Sequence, residues 1–280
     1  MMKSFSLAAM AVLVLVGCNS GGDNAQAATL ADAKVIAENI GNSVSFGESL
    51  NSQGNNTIGT FNTKSRSVFS QACSNGGNMF IDFDQTQIVS GQEPTNMKMS
   101  MKMVNCVEGG TVTNGKMVFD ISNGDNIDMS FPTDFTVTEN GQTMKVFAGG
   151  SIKTKEQAPY EVMTINMRMS DGTATYGGKN LVYKMKENSN GSVEIFPASG
   201  EENFGTGIYF KVDPNYNAGQ TPMVSDYNGN LLAGGMFKYL DGVNHKVEVE
   251  ATAVNEVTVR VDENGNGTFE ENEIESITVE

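Results

Sequence analysis

The stretch Asp262-Glu263-Asn264-Gly265-Asn266-Gly267-Thr268-Phe269-Glu270-Glu271-Asn272-Glu273 sets oxygen donors at the spacing of a calcium loop. With Asp262 at position 1, side-chain oxygens fall at positions 1, 3 and 5 on Asp262, Asn264 and Asn266. Gly267 takes position 6, where the chain must bend sharply. Thr268 offers its carbonyl at position 7, Glu270 stands at position 9, and Glu273 ends the loop at position 12 with both oxygens available. Two departures weaken the pull on a cation. Positions 3 and 5 are neutral Asn, and Phe269 fills position 8, where such loops usually carry Ile, Val or Leu. Val257 to Val261 alternates like a strand, so the loop is entered from a sheet and is not part of a helix-loop-helix hand. An affinity near the extracellular range, on the order of 10⁻⁴–10⁻³ M, is the expectation for Ca²⁺. The alternative for the same residues is an acidic, Gly- and Asn-rich turn between two strands.

A second chemical feature is Cys18, at the end of Leu15-Val16-Gly17-Cys18. Lys3 is the only charge before a nearly unbroken apolar run from Phe5 to Val16. A run of about a dozen apolar residues is too short for a mature membrane-spanning helix but suits the central region of a secretory signal. A small residue followed by cysteine is the pattern of a bacterial lipoprotein signal. Cleavage before Cys18 leaves a residue able to carry acyl chains such as palmitate, and several chains give stable anchoring. Asn19 follows, where lipoproteins retained in the inner membrane commonly carry Asp, so the expected address is the outer membrane, facing either the periplasm or the surface. Residues 1–17 are read as signal peptide, 18–28 as lipidated cysteine and tether, and 29–280 as a single β domain.

With Cys18 committed to lipid, Cys73 and Cys106 remain as an even pair in an exported chain. They are read as a disulfide, which stabilises by roughly 3–4 kcal/mol on the chain-entropy model. Two reduced buried cysteines are the rival reading. A thiolate metal site is another, although it wants more ligands than the nearby sequence supplies.

The elements that must position these residues are strands. Met97, Met99, Met101 and Met103 alternate with Lys98, Ser100 and Lys102. Met117, Phe119 and Ile121 repeat the alternation, as do Ile127, Met129 and Phe131, and then Met163, Ile165, Met167 and Met169. Period two marks strands with one buried and one wet face, an arrangement natural to antiparallel sheets. Asn114-Gly115, Asn123-Gly124-Asp125, Asn140-Gly141, Asp171-Gly172, Asn190-Gly191, Asn228-Gly229 and Asp241-Gly242 read as the turns between them. The expected fold is mainly β: a long antiparallel up-and-down meander of ten or more strands, making a curled sheet, half-barrel or sandwich. One short N-terminal helix is predicted, capped by Thr29, with Leu30, Ala33, Ala37 and Ile40 on one face and Gly41 at its end. Asn51 to Thr60 reads as loop.

Composition narrows the function classes. The formal net charge is −15 with no basic block, which disfavours nucleic acid and polybasic lipid binding. The methionine rows invite Cu(I), but no His or free Cys accompanies them, and core packing is the favoured reading. His245 is the only histidine and reads as incidental. No nucleophile elbow or phosphate loop appears, and scattered carboxylates neither locate nor exclude a glycosidase-like pair.

Cys73-Ser74-Asn75-Gly76-Gly77, the alternating strand after it, Asn105-Cys106, Asn114-Gly115-Lys116 and the acidic C-terminal loop together resemble uncharacterised β-rich proteobacterial lipoproteins. The resemblance spans about two thirds of the mature chain and implies an envelope lipoprotein, without supplying an active site. A non-enzymatic outer-membrane module is therefore expected, held to the membrane by its lipid and meeting an envelope protein, glycan or cation. The alternative is a carrier of lipid or another hydrophobic ligand, with an apolar pocket on the concave sheet face.

Overall fold

The computed structural model describes residues 26–39, 67–83, 97–122, 126–213, 215–216 and 220–279. The signal segment with Cys18, the helix-end residues Ile40 and Gly41, the loop Asn51 to Thr60 and the turn Asn123-Gly124-Asp125 lie outside them. The described chain is mainly β, with eighteen strands, antiparallel pairing and one short helix. It falls into two compact units: residues 67–173, and residues 26–39 with 174–279.

The first unit is a meander. Its strands are β1 (Ser67–Ala72), β2 (Asn78–Phe83), β3 (Met97–Glu108), β4 (Thr111–Ser122), β5 (Asn126–Phe131), β6 (Phe135–Glu139), β7 (Gln142–Val146), β8 (Gly150–Gln157) and β9 (Tyr160–Ser170). Cross-strand partners put like with like: Ile81 faces Met101, which faces Met117, and Phe119 faces Met129, Ile152 and Ile165 in turn. Met129, Met163, Ile165, Met167 and Met169 are buried, whereas Met97, Met99, Met101 and Met103 are only half-buried. The wet face carries a charge ladder in which Lys98 meets Asp120 at 3.5 Å and Lys153 meets Asp128 at 2.8 Å. Asp120 and Asp128 are themselves cross-strand partners, so each acid is relieved by its own lysine.

Two features of this unit depart from the simple alternation. β5 and β6 both pair with β4, and β7 and β8 both pair with β9, so each couple behaves as one strand interrupted at 132–134 or 147–149. The interruptions face each other, and Gly149 N–H donates to the Phe131 carbonyl between them. Asp134 secures the corner by accepting from Ala148 N–H at 2.9 Å and pairing with Lys145 at 2.6 Å. The second departure corrects a turn assignment. Asn114-Gly115 lies inside β4, and the reversal falls at Gly109-Gly110. Asn114 Oδ1 instead accepts from Asn105 N–H at 2.6 Å, where β3 bulges through a left-handed Asn105. The positive-φ residues serve a strand irregularity there, not a hairpin.

The second unit holds β10 (Thr175–Glu187), β11 (Val193–Phe204), β12 (Phe210–Val212), β13 (Met223–Ser225), β14 (Leu231–Leu232), β15 (Met236–Leu240), β16 (Lys246–Ala253), β17 (Glu256–Val261) and β18 (Ile274–Thr278). The helix, α1, covers residues 30–39. Thr29 caps it as expected: Thr29 Oγ1 accepts from Asp32 N–H, and Asp32 Oδ2 accepts from Thr29 N–H. Ala33, Ile36 and Ala37 are fully buried, while Leu30 is half-buried. Ile36, one position before Ala37, broadens the apolar stripe beyond the predicted set. Tyr183, Phe204, Phe210, Phe237, Tyr239, Val247, Val249, Val257 and Val259 fill the rest of this core. Ring contacts of 5.8–6.5 Å run between Phe204, Phe210, Phe237 and Tyr239.

One carboxyl sits in that core. Glu202 is buried, and the Tyr183 hydroxyl donates to its Oε2. Burial raises its pKa to about 8, outweighing the opposing effect of the tyrosine hydrogen bond. The folded chain therefore keeps a proton that the unfolded chain releases above its ordinary value near 4.5. The resulting stabilisation is full below that value and is lost as pH rises to about 8. Thermal melting of wild type is expected to fall across this window more steeply than that of Glu202→Gln. Parallel profiles for the two proteins would contradict the assignment.

Candidate functional site

The acidic loop leaves β17 at Val261 and returns through a short 3₁₀ turn, Glu271–Glu273, into β18. Asp262 and Glu273, its first and last expected ligands, are both 2% exposed. Asp262 Oδ2 accepts from Gly267 N–H at 2.9 Å, so the position-1 carboxylate reaches the backbone of the bend. Its other oxygen, Oδ1, is buried and has no hydrogen-bond partner. Glu273 accepts from Glu263 N–H and from Glu270 N–H, each at 2.9 Å. The Glu270 amide bond leads the hydrogen bonds that hold the Glu273 carboxyl below its usual pKa, against the cost of burial.

The middle of the loop is organised by its asparagines. Asn264 Oδ1 accepts from Asn266 N–H, and Asn266 Oδ1 accepts from Thr268 N–H, one side-chain turn following the other. Their amide nitrogens both donate to the Glu270 carboxylate at 2.6 Å. The loop thus brings Asp262, Asn264, Asn266, Glu270 and Glu273 into one hydrogen-bonded set. The carboxylates of Asp262, Glu270 and Glu273 alone do not close to within 4.8 Å of one another.

The same loop supports the start of α1. Glu263 Oε1 accepts from Leu30 N–H at 2.8 Å, and Asp241 Oδ2 accepts from Ala28 N–H at 2.7 Å. Lys34 pairs with Glu275 of β18 at 2.6 Å. First-turn amides are the donors a helix leaves unpaired, and carboxylates there also suit the helix dipole. His245, predicted as incidental, lies between these two supports. Its backbone N–H donates to Asp241 Oδ1, and its ring lies against Gly265. A Cβ on Gly265 would stand 2.4 Å from His245 Nε2, and φ is +71°, so most side chains there would be strained and would displace the His245 ring. Nothing in the loop sequence signalled the contacts to Leu30 and His245, because their partners are distant in the chain.

The cysteine pair forms a separate lobe at one end of the 67–173 unit. Cys73 and Cys106 are joined in a disulfide, with Cα atoms 5.4 Å apart across 33 positions. The turn from Cys73 to Gly77 is closed by Cys73 N–H to the Gly77 carbonyl, and it is pinned to β3 by Asn75 N–H to Val107 O and Val107 N–H to Gly76 O. Ser74 donates twice to Glu108 and keeps that carboxyl below its usual pKa. Cys73, Cys106 and Glu108 are close enough to suggest a metal cluster. Bonded sulfurs offer no thiolate, so the disulfide removes that reading.

Among the described residues no helix is long and apolar enough to cross a membrane. Comparison with protein-family models, curated proteins and solved structures gives no match.

The two glycines of the cysteine lobe are distinguishable by experiment. Both have positive φ, but a Cβ on Gly76 meets nothing within 4 Å, whereas one on Gly77 would lie 1.8 Å from the Asn105 carbonyl oxygen. Each Gly→Ala change is expected to cost about 1–3 kcal/mol in backbone strain. Gly77→Ala should lose distinctly more because β3 must also move. Equal melting temperatures for the two variants would refute that packing.

Proposed function

We propose that this protein is a non-enzymatic envelope lipoprotein, anchored in the outer membrane through acyl chains on Cys18, whose β units serve as a binding or structural module. The observation that carries the module reading is how the 26–39 and 174–279 unit fills itself. Ala33, Ile36 and Ala37 of α1 and Phe210, Tyr239, Val247, Val249, Val257 and Val259 of the sheet are at most 0% exposed. A carrier needs apolar side chains left facing a cavity of several hundred Å³. In this unit helix and aromatics take that place, which favours recognition through the wet surface.

That surface is acidic and ordered. On β15 to β17, Lys238 pairs with Glu248 at 3.4 Å, and Arg260 with Glu250 at 2.6 Å. Tyr216 donates to Glu248 at 2.9 Å. With a net charge of −15, its partners are envelope proteins, glycans or cations in preference to anionic polymers.

The anchoring half rests on Leu15-Val16-Gly17-Cys18 and on the disulfide, which suits an oxidising compartment. Cys18→Ala is expected to move the protein from the membrane to the soluble fraction. Continued sedimentation of the variant with membranes in high salt would refute acylation at this residue.

A further inference from the structure

We infer that Asp262–Glu273 is a calcium site, with ligands from the side chains of Asp262, Asn264, Asn266, Glu270 and Glu273 and the Thr268 carbonyl. The site is independent of the anchoring reading. Two unrelated observations converge on it. One is the sequence spacing, which sets oxygen donors at positions 1, 3, 5, 7, 9 and 12 around a glycine at position 6. The other is the state of Asp262: a carboxylate 2% exposed, held to the bend through Oδ2, with Oδ1 left without any donor. A buried acceptor without a partner is costly, and more so when it carries charge. A divalent cation within the loop supplies the missing partner.

The remaining ligands suit the same ion. Asn264 Oδ1 accepts one backbone N–H and retains a second lone pair, whereas Asn266 Oδ1 accepts both the N–H and the hydroxyl of Thr268, so that hydroxyl turns away when the oxygen ligates. Glu270 accepts from the two asparagine amides and, in the capping box of the 3₁₀ turn, from the Glu273 backbone N–H, which leaves its carboxylate a lone pair for a cation. The twelve residues hold five carboxylates and no basic side chain, a repulsion that a dication relieves. The Lys246 ammonium, from β16, donates to the Gly267 carbonyl at 2.8 Å. That is the position-6 oxygen, which is not among the calcium ligands of such loops. All-oxygen ligands in a flexible loop favour Ca²⁺ over Mg²⁺, which demands a tighter octahedron. The role is structural, because the loop holds α1 through Glu263 and meets His245 at Gly265.

The test is a calcium chloride titration of the ¹⁵N-labelled, metal-free mature chain, followed by amide chemical shifts. Shifts should concentrate on residues 262–273 and saturate at one site, with a dissociation constant on the order of 10⁻⁴–10⁻³ M. Magnesium chloride at equal concentration should produce smaller, non-saturating changes. Asp262→Asn keeps an acceptor for Gly267 N–H, and Glu270→Gln keeps an amide oxygen as acceptor for Glu273 N–H. Both should therefore fold, with the first losing saturation and the second weakened at least about fivefold. Absence of loop shifts in wild type, shifts spread over the acidic surface without saturation, or equal affinity in Asp262→Asn would each overturn the site.

Discussion

Among the described strands β8, β9, β15 and β16 alternate between a buried and a wetter face, and the buried face has to be covered. In the 26–39 and 174–279 unit the cover is α1, and the rest of that unit is built around seating it. Ala33 and Ala37 are small enough to let the helix approach the sheet, and Ile36 reaches the core between them. Asp241 and Glu263, from two separate turns, take the amides of Ala28 and Leu30 that the helix start leaves unpaired. Asn39, near the other described end, donates to the Phe204 carbonyl at 3.3 Å. Two ends and one face are thereby fixed by residues 165 to 233 positions away in sequence.

Seating the helix also explains where acidic residues are buried. Asp241 is a turn residue whose carboxylate accepts from Val243 and His245 amides as well as from Ala28. It is fully engaged, so its burial has a local reason. Asp262 is engaged through one oxygen only, and that difference is what the proposed calcium site rests on. Glu202 represents a third solution, in which burial keeps a core carboxyl protonated over much of the neutral range against the opposing pull of the Tyr183 hydroxyl.

Much of the architecture was legible in the order of residue types. The methionine rows mark β3 and β9 because period two has no other physical source, and Thr29 marks the helix start. Cys73 and Cys106 pair, as expected from the sequence. The losses are equally specific. Asn114-Gly115 has turn chemistry, yet it sits at a bulge because β3 and β4 must pass a left-handed Asn105. The paired interruptions at 132–134 and 147–149 preserve the register between their own strands, with Phe131 opposite Gly150 and Phe135 opposite Val146. Alternation therefore runs through them unbroken and conceals them. Glu202 was missed because a carboxyl beside another acid reads as surface until the tertiary fold buries it. The supports of α1 were invisible for a simpler reason: hydrogen bonds over such separations leave no trace in local spacing.

These observations support the proposal of a disulfide-closed module, self-filled in its 26–39 and 174–279 unit and carried on a lipid. Native mass spectrometry of the protein extracted gently from membranes examines all three properties together. The predicted result is the mass of residues 18–280, less the hydrogens lost in one disulfide, plus covalent acyl chains and nothing apolar bound noncovalently. A chain beginning at Met1, an unmodified Cys18, free thiols at Cys73 and Cys106, or a retained hydrophobic ligand would contradict it.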